Sequence, residues 1–224
     1  MSRPKGVLSP GMKQVLDRNA GELAAVQGSI VSASGNRKVQ TILVTSCNRG
    51  EGKTVMATGM AFSLANHANA QVLLVDCNIS GPAIHEQFGL PRQPGLVDYL
   101  SSDIGLEEVV WPTDDPRLLL MPLGGSGAVV LEVLRKQNIA PRLAALKDKF
   151  DFVICDGSSI FGSSDASLVA SNFDGIVLVV ECERTRWEVV QDGKEWLTKA
   201  GGKILGVALN KRRYYIPKAM YAGG

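Results

Sequence analysis

The residues with the clearest capacity for chemistry lie between positions 46 and 55. Gly50-Glu51-Gly52-Lys53-Thr54 places two glycines immediately ahead of a lysine and a threonine. Glycines let a backbone curl until its N–H groups face one centre, and a helix starting at Lys53-Thr54 adds the positive end of its dipole. Such a loop can cradle a chain of phosphates, with Lys53 reaching the outer ones and Thr54 offering a hydroxyl to Mg²⁺. The segment Asn48-Arg49-Gly50-Glu51-Gly52-Lys53-Thr54-Val55 is therefore the expected contact surface for a nucleotide. Cys47 stands where the first glycine of G-x-x-x-x-G-K-[ST] belongs, and the competing reading is a chance Gly-Lys-Thr turn.

Two carboxylates follow apolar runs directly, Asp76 after Val72–Val75 and Asp156 after Phe152–Cys155. An aspartate there can hold Mg²⁺ or take a proton from an attacking hydroxyl, and it can equally cap a helix. Beside a phosphate loop, one site using Lys53, Asp76 and Asp156, with Thr54, Asp76 and Asp156 on the metal, is the favoured reading. Asn210 ends another apolar run; its amide could read a purine edge, and an ordinary turn asparagine explains it as well. Tyr214, Tyr215 and Tyr221 crowd the last eleven residues among Lys211, Arg212, Arg213 and Lys218. Phosphoacceptors, aromatics packed on the domain and a basic lipid contact all fit that composition. His67 and His85 receive no role.

Cys47, Cys77, Cys155 and Cys182 all fall at the carboxyl ends of expected strands, and no two have Cys-x-x-Cys spacing. A zinc site has little support, and free thiols are expected. Their positions predict that they ring the nucleotide. Cys47 at a helix N-terminus is the expected thiolate and the expected target of an oxidant that blocks binding.

The elements that must position these residues are legible. Apolar runs at Thr41–Thr45, Val72–Val75, Leu118–Met121, Phe152–Cys155, Ile176–Val180 and Ile204–Leu209 are continuous rather than alternating, as in strands buried on both faces. Helical stretches such as Met56–His67 and Trp187–Ala200 lie between them. The alternation predicts an α/β fold, a mostly parallel sheet with helices on both faces, in which sites form beyond the carboxyl ends of the strands. Residues 1–37 read as a loose arm, a helix from about Gln14 to Ile30 and a turn-rich linker; 38–210 as the nucleotide-binding domain; 211–224 as a basic tail.

Length and composition agree. A chain of 224 residues with 45% hydrophobic and 21% charged residues suits one α/β domain with a full core. The net charge of +2 gives no argument for nucleic acid. No apolar run approaches the roughly 18 residues of a membrane span, and no signal segment opens the chain, so a cytoplasmic location is expected.

Together these motifs resemble the cytoplasmic domains of bacterial tyrosine kinases from capsule and exopolysaccharide systems, the CpsD/CapB type, within the wider MinD/ParA group of P-loop proteins. Val44-Thr45-Ser46 with Gly50–Thr54 resembles the family's Walker A, Val72–Asp76 its Walker A′, and Phe150–Asp156 its Walker B. Pro82, His85, Phe88-Gly89-Leu90 and Pro94–Asp98 are similar too, as are Asp165-Ala166, Asp174–Val180 and Ile204–Asn210. The resemblance implies ATP and Mg²⁺, autophosphorylation of the tail tyrosines, Asn210 on the adenine, and a membrane-bound chain-length regulator as activator at the inner face of the membrane. It implies a possible homo-oligomer as well.

The chain departs from that pattern. Asn78 replaces the second Walker A′ carboxylate, Ser80 and Gly81 replace arginines, and Gly157-Ser158-Ser159 replaces Thr-Pro-Pro. Glu22 is followed by Ala25 and Gly28 where ring-forming members carry arginines. Three other readings therefore stand beside the autokinase: a nucleotide-dependent regulator with weak transfer, a partition- or positioning-type ATPase of the wider MinD/ParA group, and a structural module with an empty loop. The ParA-type signature lysine, five residues ahead of Lys53, is Asn48 here.

Overall fold

The structure is a computed structural model that describes residues 3–34, 39–125, 132, 140–162 and 170–212. One sheet organises the molecule. Its strands are β1 (Thr41–Ser46), β2 (Val72–Cys77), β3 (Trp111–Pro112), β4 (Leu118–Met121), β5 (Phe152–Gly157), β6 (Gly175–Glu181) and β7 (Ile204–Asn210), in spatial order β3-β4-β2-β5-β1-β6-β7. All neighbours pair in parallel except β3 with β4. The expected α/β fold is therefore present. The addition is β3, whose two residues are too short to leave a pattern in the sequence.

The continuous apolar runs are explained by burial on both faces. Ile42, Val44, Val72, Leu74, Ile154, Val177 and Val179 face one layer, and Leu43, Leu73, Val75, Val153, Ile176 and Leu178 face the other. The first layer is closed by α2 (Ala20–Ser34) and α3 (Lys53–His67). Gly59 of α3 lets Leu23 of α2 approach so closely that an added Cβ would lie 2.6 Å from its Cδ2. The second layer is covered by α5 (Leu96–Ser101), α7 (Ala140–Lys147) and α8 (Trp187–Lys199); α4 (Ile84–Gln87) and α6 (Leu106–Val109) are single turns. β1 is flanked by β5 and β6, with the chain proceeding to opposite sides of it, so the loop after β1 opens at the switch point of the sheet.

The amino-terminal segment differs from the expectation. Helix starts at Pro10, where Ser9 caps α1 (Pro10–Arg18) and proline occupies the first turn, and it breaks at Asn19 before α2. The residues ahead of it are strapped down. Gly6, Val7 and Ser9 donate N–H to Pro112, Phe88 and Gln87 carbonyls at 2.8, 2.9 and 2.8 Å, and Arg3 lies over the Trp111 ring. Apolar contact and backbone pairing with residues some 80–105 positions away order a stretch whose composition alone reads as loose. Between this arm and α3 lies a cavity of about 410 Å³ lined by Leu8, Leu16, Phe62 and Phe88 among others.

Candidate nucleotide site

Three strand ends build the site. β1 delivers Ser46 and the loop 47–52, β2 delivers Asp76, and β5 delivers Asp156. Asp76 and Asp156 are register partners on adjacent strands, so their side chains leave the sheet on the same face. Both are fully buried.

Gly50 and Gly52 take φ of +82° and +95°, a region that side chains rarely adopt, so the loop needs glycine at both positions. Gly52 has a second reason: a Cβ there would lie 1.9 Å from Asn210 Nδ2. α3 begins at Lys53 with no side chain capping it. Its first N–H groups therefore stay available to an anion at the helix end.

The loop is held from outside the cradle. The Glu51 carboxylate is buried and accepts from Asn48 N at 3.0 Å, Asn48 Nδ2 at 3.2 Å and Thr185 Oγ1. Asn210 Nδ2 donates to the Glu51 carbonyl at 2.8 Å. Lys211 Nζ donates to the Gly50 carbonyl at 2.7 Å and to Glu181 Oε2 at 3.0 Å. Lys211 is thus an anchor rather than the start of a free tail. Arg49 Nη2 reaches the Ser80 carbonyl at 2.7 Å. Val55 turns its side chain toward the apolar layer under α3, leaving its backbone for the cradle.

Lys53 is buried, which lowers its pKa, while Asp156 and Glu51 favour its charge and Arg49 opposes it. Thr54 Oγ1 donates to Asp156 Oδ2 at 2.7 Å. The second oxygen, Asp156 Oδ1, is buried without a hydrogen-bond partner. Burial, then the neighbouring Asp76, push Asp156 up to about 8 against the pull of Thr54 and Lys53. An orphaned carboxylate oxygen beside a threonine hydroxyl suits a hard divalent cation, which takes oxygen donors and keeps waters and phosphate oxygens as its remaining ligands. Asp76 is differently placed. Its Oδ1 accepts from Asn78 N at 3.0 Å and its Oδ2 from Ala83 N at 2.9 Å and Ile84 N at 3.0 Å. Burial raises it to about 6, opposed by these N–H groups and by Arg92. It therefore orders the loop after β2 in addition to facing Asp156.

Lys53, Thr54, Asp76 and Asp156 lie together at the strand ends, and Asn210 grips the loop beside them. Tyr214, Tyr215 and Tyr221 lie outside the described residues. The cysteine expectation is overturned for Cys47. It is fully buried, its Sγ donates to the Val189 carbonyl at 3.4 Å, and it faces Gly193 of α8 rather than the cradle. Burial, Glu51 and Asp192 push its thiol up to about 11, so the expected helix-end thiolate does not form. Cys155 is buried in the same apolar layer, and its hydrogen bond with Cys77, together with burial, pushes the Cys77 thiol well up. The four thiols are free. Thr185, Ser158 and Lys211 are the site residues that sequence reasoning passed over. Each acts through a partner far along the chain, and nothing local marks it.

Known proteins share this architecture. Residues 37–221 match the ParA family model described as NUBPL iron-transfer P-loop NTPase. Among the described residues no group of three or more His, Cys, Asp or Glu is arranged to hold a metal ion. Tyrosine-protein kinase CpsD of Streptococcus agalactiae is 31% identical over 188 residues, covering 84% of this chain and 81% of CpsD. The crystal structure of the VpsO kinase domain superposes with a TM-score of 0.79 at 30% identity, covering 90% of this chain and 98% of that one. The chimerical protein CapA2B2 superposes with a TM-score of 0.83 at 26% identity, covering 95% and 96%. With the phosphate loop, the paired aspartates and these likenesses together, the chain belongs to the ParA-type P-loop nucleotide-binding proteins and, within them, to the CpsD/CapB family of bacterial tyrosine-protein kinases.

Proposed function

We propose that the protein is an ATP- and Mg²⁺-dependent tyrosine autokinase that transfers the γ-phosphoryl group to Tyr214, Tyr215 or Tyr221 of its own kind, regulating capsular or exopolysaccharide synthesis. The observation that carries this reading is the pairing of the Thr54 hydroxyl with Asp156, whose other oxygen is buried and unpartnered, beside a buried Lys53.

The N–H groups of 50–54 bind the β- and γ-phosphates, and Lys53 balances charge on the outer oxygens. Thr54 and Asp156 would hold Mg²⁺, with Asp76 beside them. The ion, when bound, neutralises charge spread over the transferring group. The tyrosine oxygen bonds to the γ-phosphorus as the bond to the β–γ bridging oxygen breaks, and ADP leaves with that electron pair. Asp76, held near 6, accepts the phenolic proton. Buried walls around Asp76 and Asp156 exclude water that would otherwise take the phosphoryl group. Asn210, at the rim of the loop, fits an adenine contact. The domain that works in this way spans 38–210, with 1–37 as an amino-terminal appendage and 211–224 as the acceptor segment. No helix among the described residues is long and apolar enough to cross a membrane. A membrane-bound polysaccharide chain-length regulator as activator, which would hold the kinase at the inner face, is part of the proposal. The CapA2B2 chimera, similar over nearly the whole chain, supports looking for one.

A second reading, a nucleotide-dependent regulator with weak transfer, is favoured by Asn78, a neutral amide, and by the three N–H groups that already occupy Asp76. Incubation with γ-labelled ATP and Mg²⁺, with and without the partner's cytoplasmic segment, separates the two. Label that requires Lys53 and the three tyrosines establishes the autokinase. Nucleotide binding without label establishes the regulator.

A further inference from the structure

One buried serine links the three strand ends that carry the site, through its hydroxyl to the segment after β2 and through its carbonyl to β1. Ser158 is the first residue past β5, and Asn78 the first past β2, with Cys77 and Gly157 as register partners just before them. Ser158 is 6% exposed. Its Oγ accepts the Ile79 N–H at 3.1 Å and donates to Asn78 Oδ1 at 3.4 Å. Its carbonyl accepts the Thr45 hydroxyl at 2.7 Å, which ties it to the end of β1. The hydroxyl's single proton and one of its lone pairs are thereby both engaged on the loop that follows Asp76. That loop is in turn bonded to the Asp76 carboxylate through Asn78 N. On its far side Arg49 grips the Ser80 carbonyl.

We propose that Ser158 is a positioning residue for phosphoryl transfer: it clamps the Cys77–Ser80 loop against the end of β5 and so sets Asp76 relative to Asp156. Asn78 is its partner in this clamp, an acceptor turned toward the hydroxyl, and its neutral amide is explained by that role rather than by metal binding. A carboxylate at 78 would set a third negative charge beside two buried aspartates, whereas an amide accepts the same hydrogen bond without it. The phosphate loop meets the clamped segment only through the Arg49–Ser80 bond and has braces of its own in Glu51, Asn210 and Lys211. Losing the hydroxyl therefore strands Ile79 N–H and Asn78 Oδ1 and lets Asp76 drift, while the cradle keeps its shape.

The inference rests on the autokinase reading, and two readouts keep them apart. Ser158→Ala is expected to lower the autophosphorylation kcat about tenfold while the Kd for Mg-ATP stays within twofold. Ser158→Thr, which keeps a hydroxyl, should return kcat to within threefold of wild type. Asn78→Ala should cost about as much as Ser158→Ala, and the double variant no more than either alone. Amide exchange across 77–84 in nucleotide-free protein should speed up at least fivefold in Ser158→Ala and return in Ser158→Thr. Unchanged kcat in Ser158→Ala overturns the proposal, as do a parallel loss of nucleotide affinity or additive effects of Ser158→Ala and Asn78→Ala. If wild type carries no label, the autokinase reading has failed, and the exchange measurement then judges the clamp alone: unchanged exchange overturns it.

Discussion

Gly52→Ala should injure nucleotide binding in two separable ways. At φ +95° an L side chain is strained, and its Cβ would stand 1.9 Å from Asn210 Nδ2. Left-handed backbone costs roughly 1–2 kcal/mol for a non-glycine residue. Driving the Asn210 amide away also breaks its 2.8 Å bond to the Glu51 carbonyl, a loss of about 1 kcal/mol. The nucleotide-free protein can relieve much of this by fraying the first turn of α3, but the bound state needs those N–H groups converged. The cost of about 2–3 kcal/mol therefore falls on affinity, a roughly 30- to 150-fold rise in Kd. A fluorescent nucleotide titration with Mg²⁺ measures it. Asn210→Gly placed on Gly52→Ala removes the collision but restores neither the unstrained backbone nor the bond to the Glu51 carbonyl, so most of the lost energy should stay lost. Two results would refute the reasoning: wild-type affinity in Gly52→Ala, or complete rescue by Asn210→Gly, which would mean that φ at position 52 carries no cost.

Other tests follow from the same geometry. Thr54→Val deletes the donor to Asp156 Oδ2 and should weaken nucleotide binding in Mg²⁺ by at least tenfold while leaving binding in EDTA within threefold, read by paired titrations. Asp76 and Asp156 are raised to about 6 and about 8, so between roughly pH 4 and 8 the folded chain keeps protons that the unfolded chain has shed. Stability of the nucleotide-free protein is then greatest at the acid end of that window and falls as pH rises through it; a Tm series from pH 5 to 8.5 should show the decline, and Asp156→Asn should flatten its upper half. Asp174, lowered because its bonds to Lys147, Thr41 and Gln40 outweigh its burial, acts in the opposite sense only as pH drops below the ordinary carboxylate range. Thr185→Val should loosen the Glu51 brace and raise the nucleotide Kd several-fold, with Thr185→Ser restoring it. Cys47 should resist iodoacetamide at neutral pH in the folded protein, as peptide mapping would reveal, since its thiol is buried and held near 11.

What could be read from the sequence was whatever announces itself locally. Thr41–Thr45 and Val72–Val75 are unbroken apolar runs because helices cover both sides of the strands they form, and Asp76 and Asp156 gain meaning from following such runs. Gly50 and Gly52 report a backbone requirement through residue type alone. The direction of a side chain at the end of a strand has no such local sign. Cys47 stands one residue beyond β1 and could face the phosphate cradle or the helix across the sheet; packing against Gly193, far along the chain, decides it. Ser158 and Thr185 are as common in idle turns as in bracing ones, and their bonds span 79 and 134 positions. The arm reads as loose because order there depends on Pro112, Phe88 and Gln87.

The two margins of the sheet are finished differently. Beside β3 the amino-terminal strap bridges Gly6 to Thr113, covering one margin. β7 lies at the other, with Val207 and Leu209 43% and 68% exposed. Among the described residues, lateral growth of this sheet by strands from other chains, the route to ordered aggregates, is therefore polar: it is open beyond β7 and opposed by the strap at the other margin. A charge placed at Leu209 should act as a gatekeeper against it, and trimming the first nine residues should open a second front.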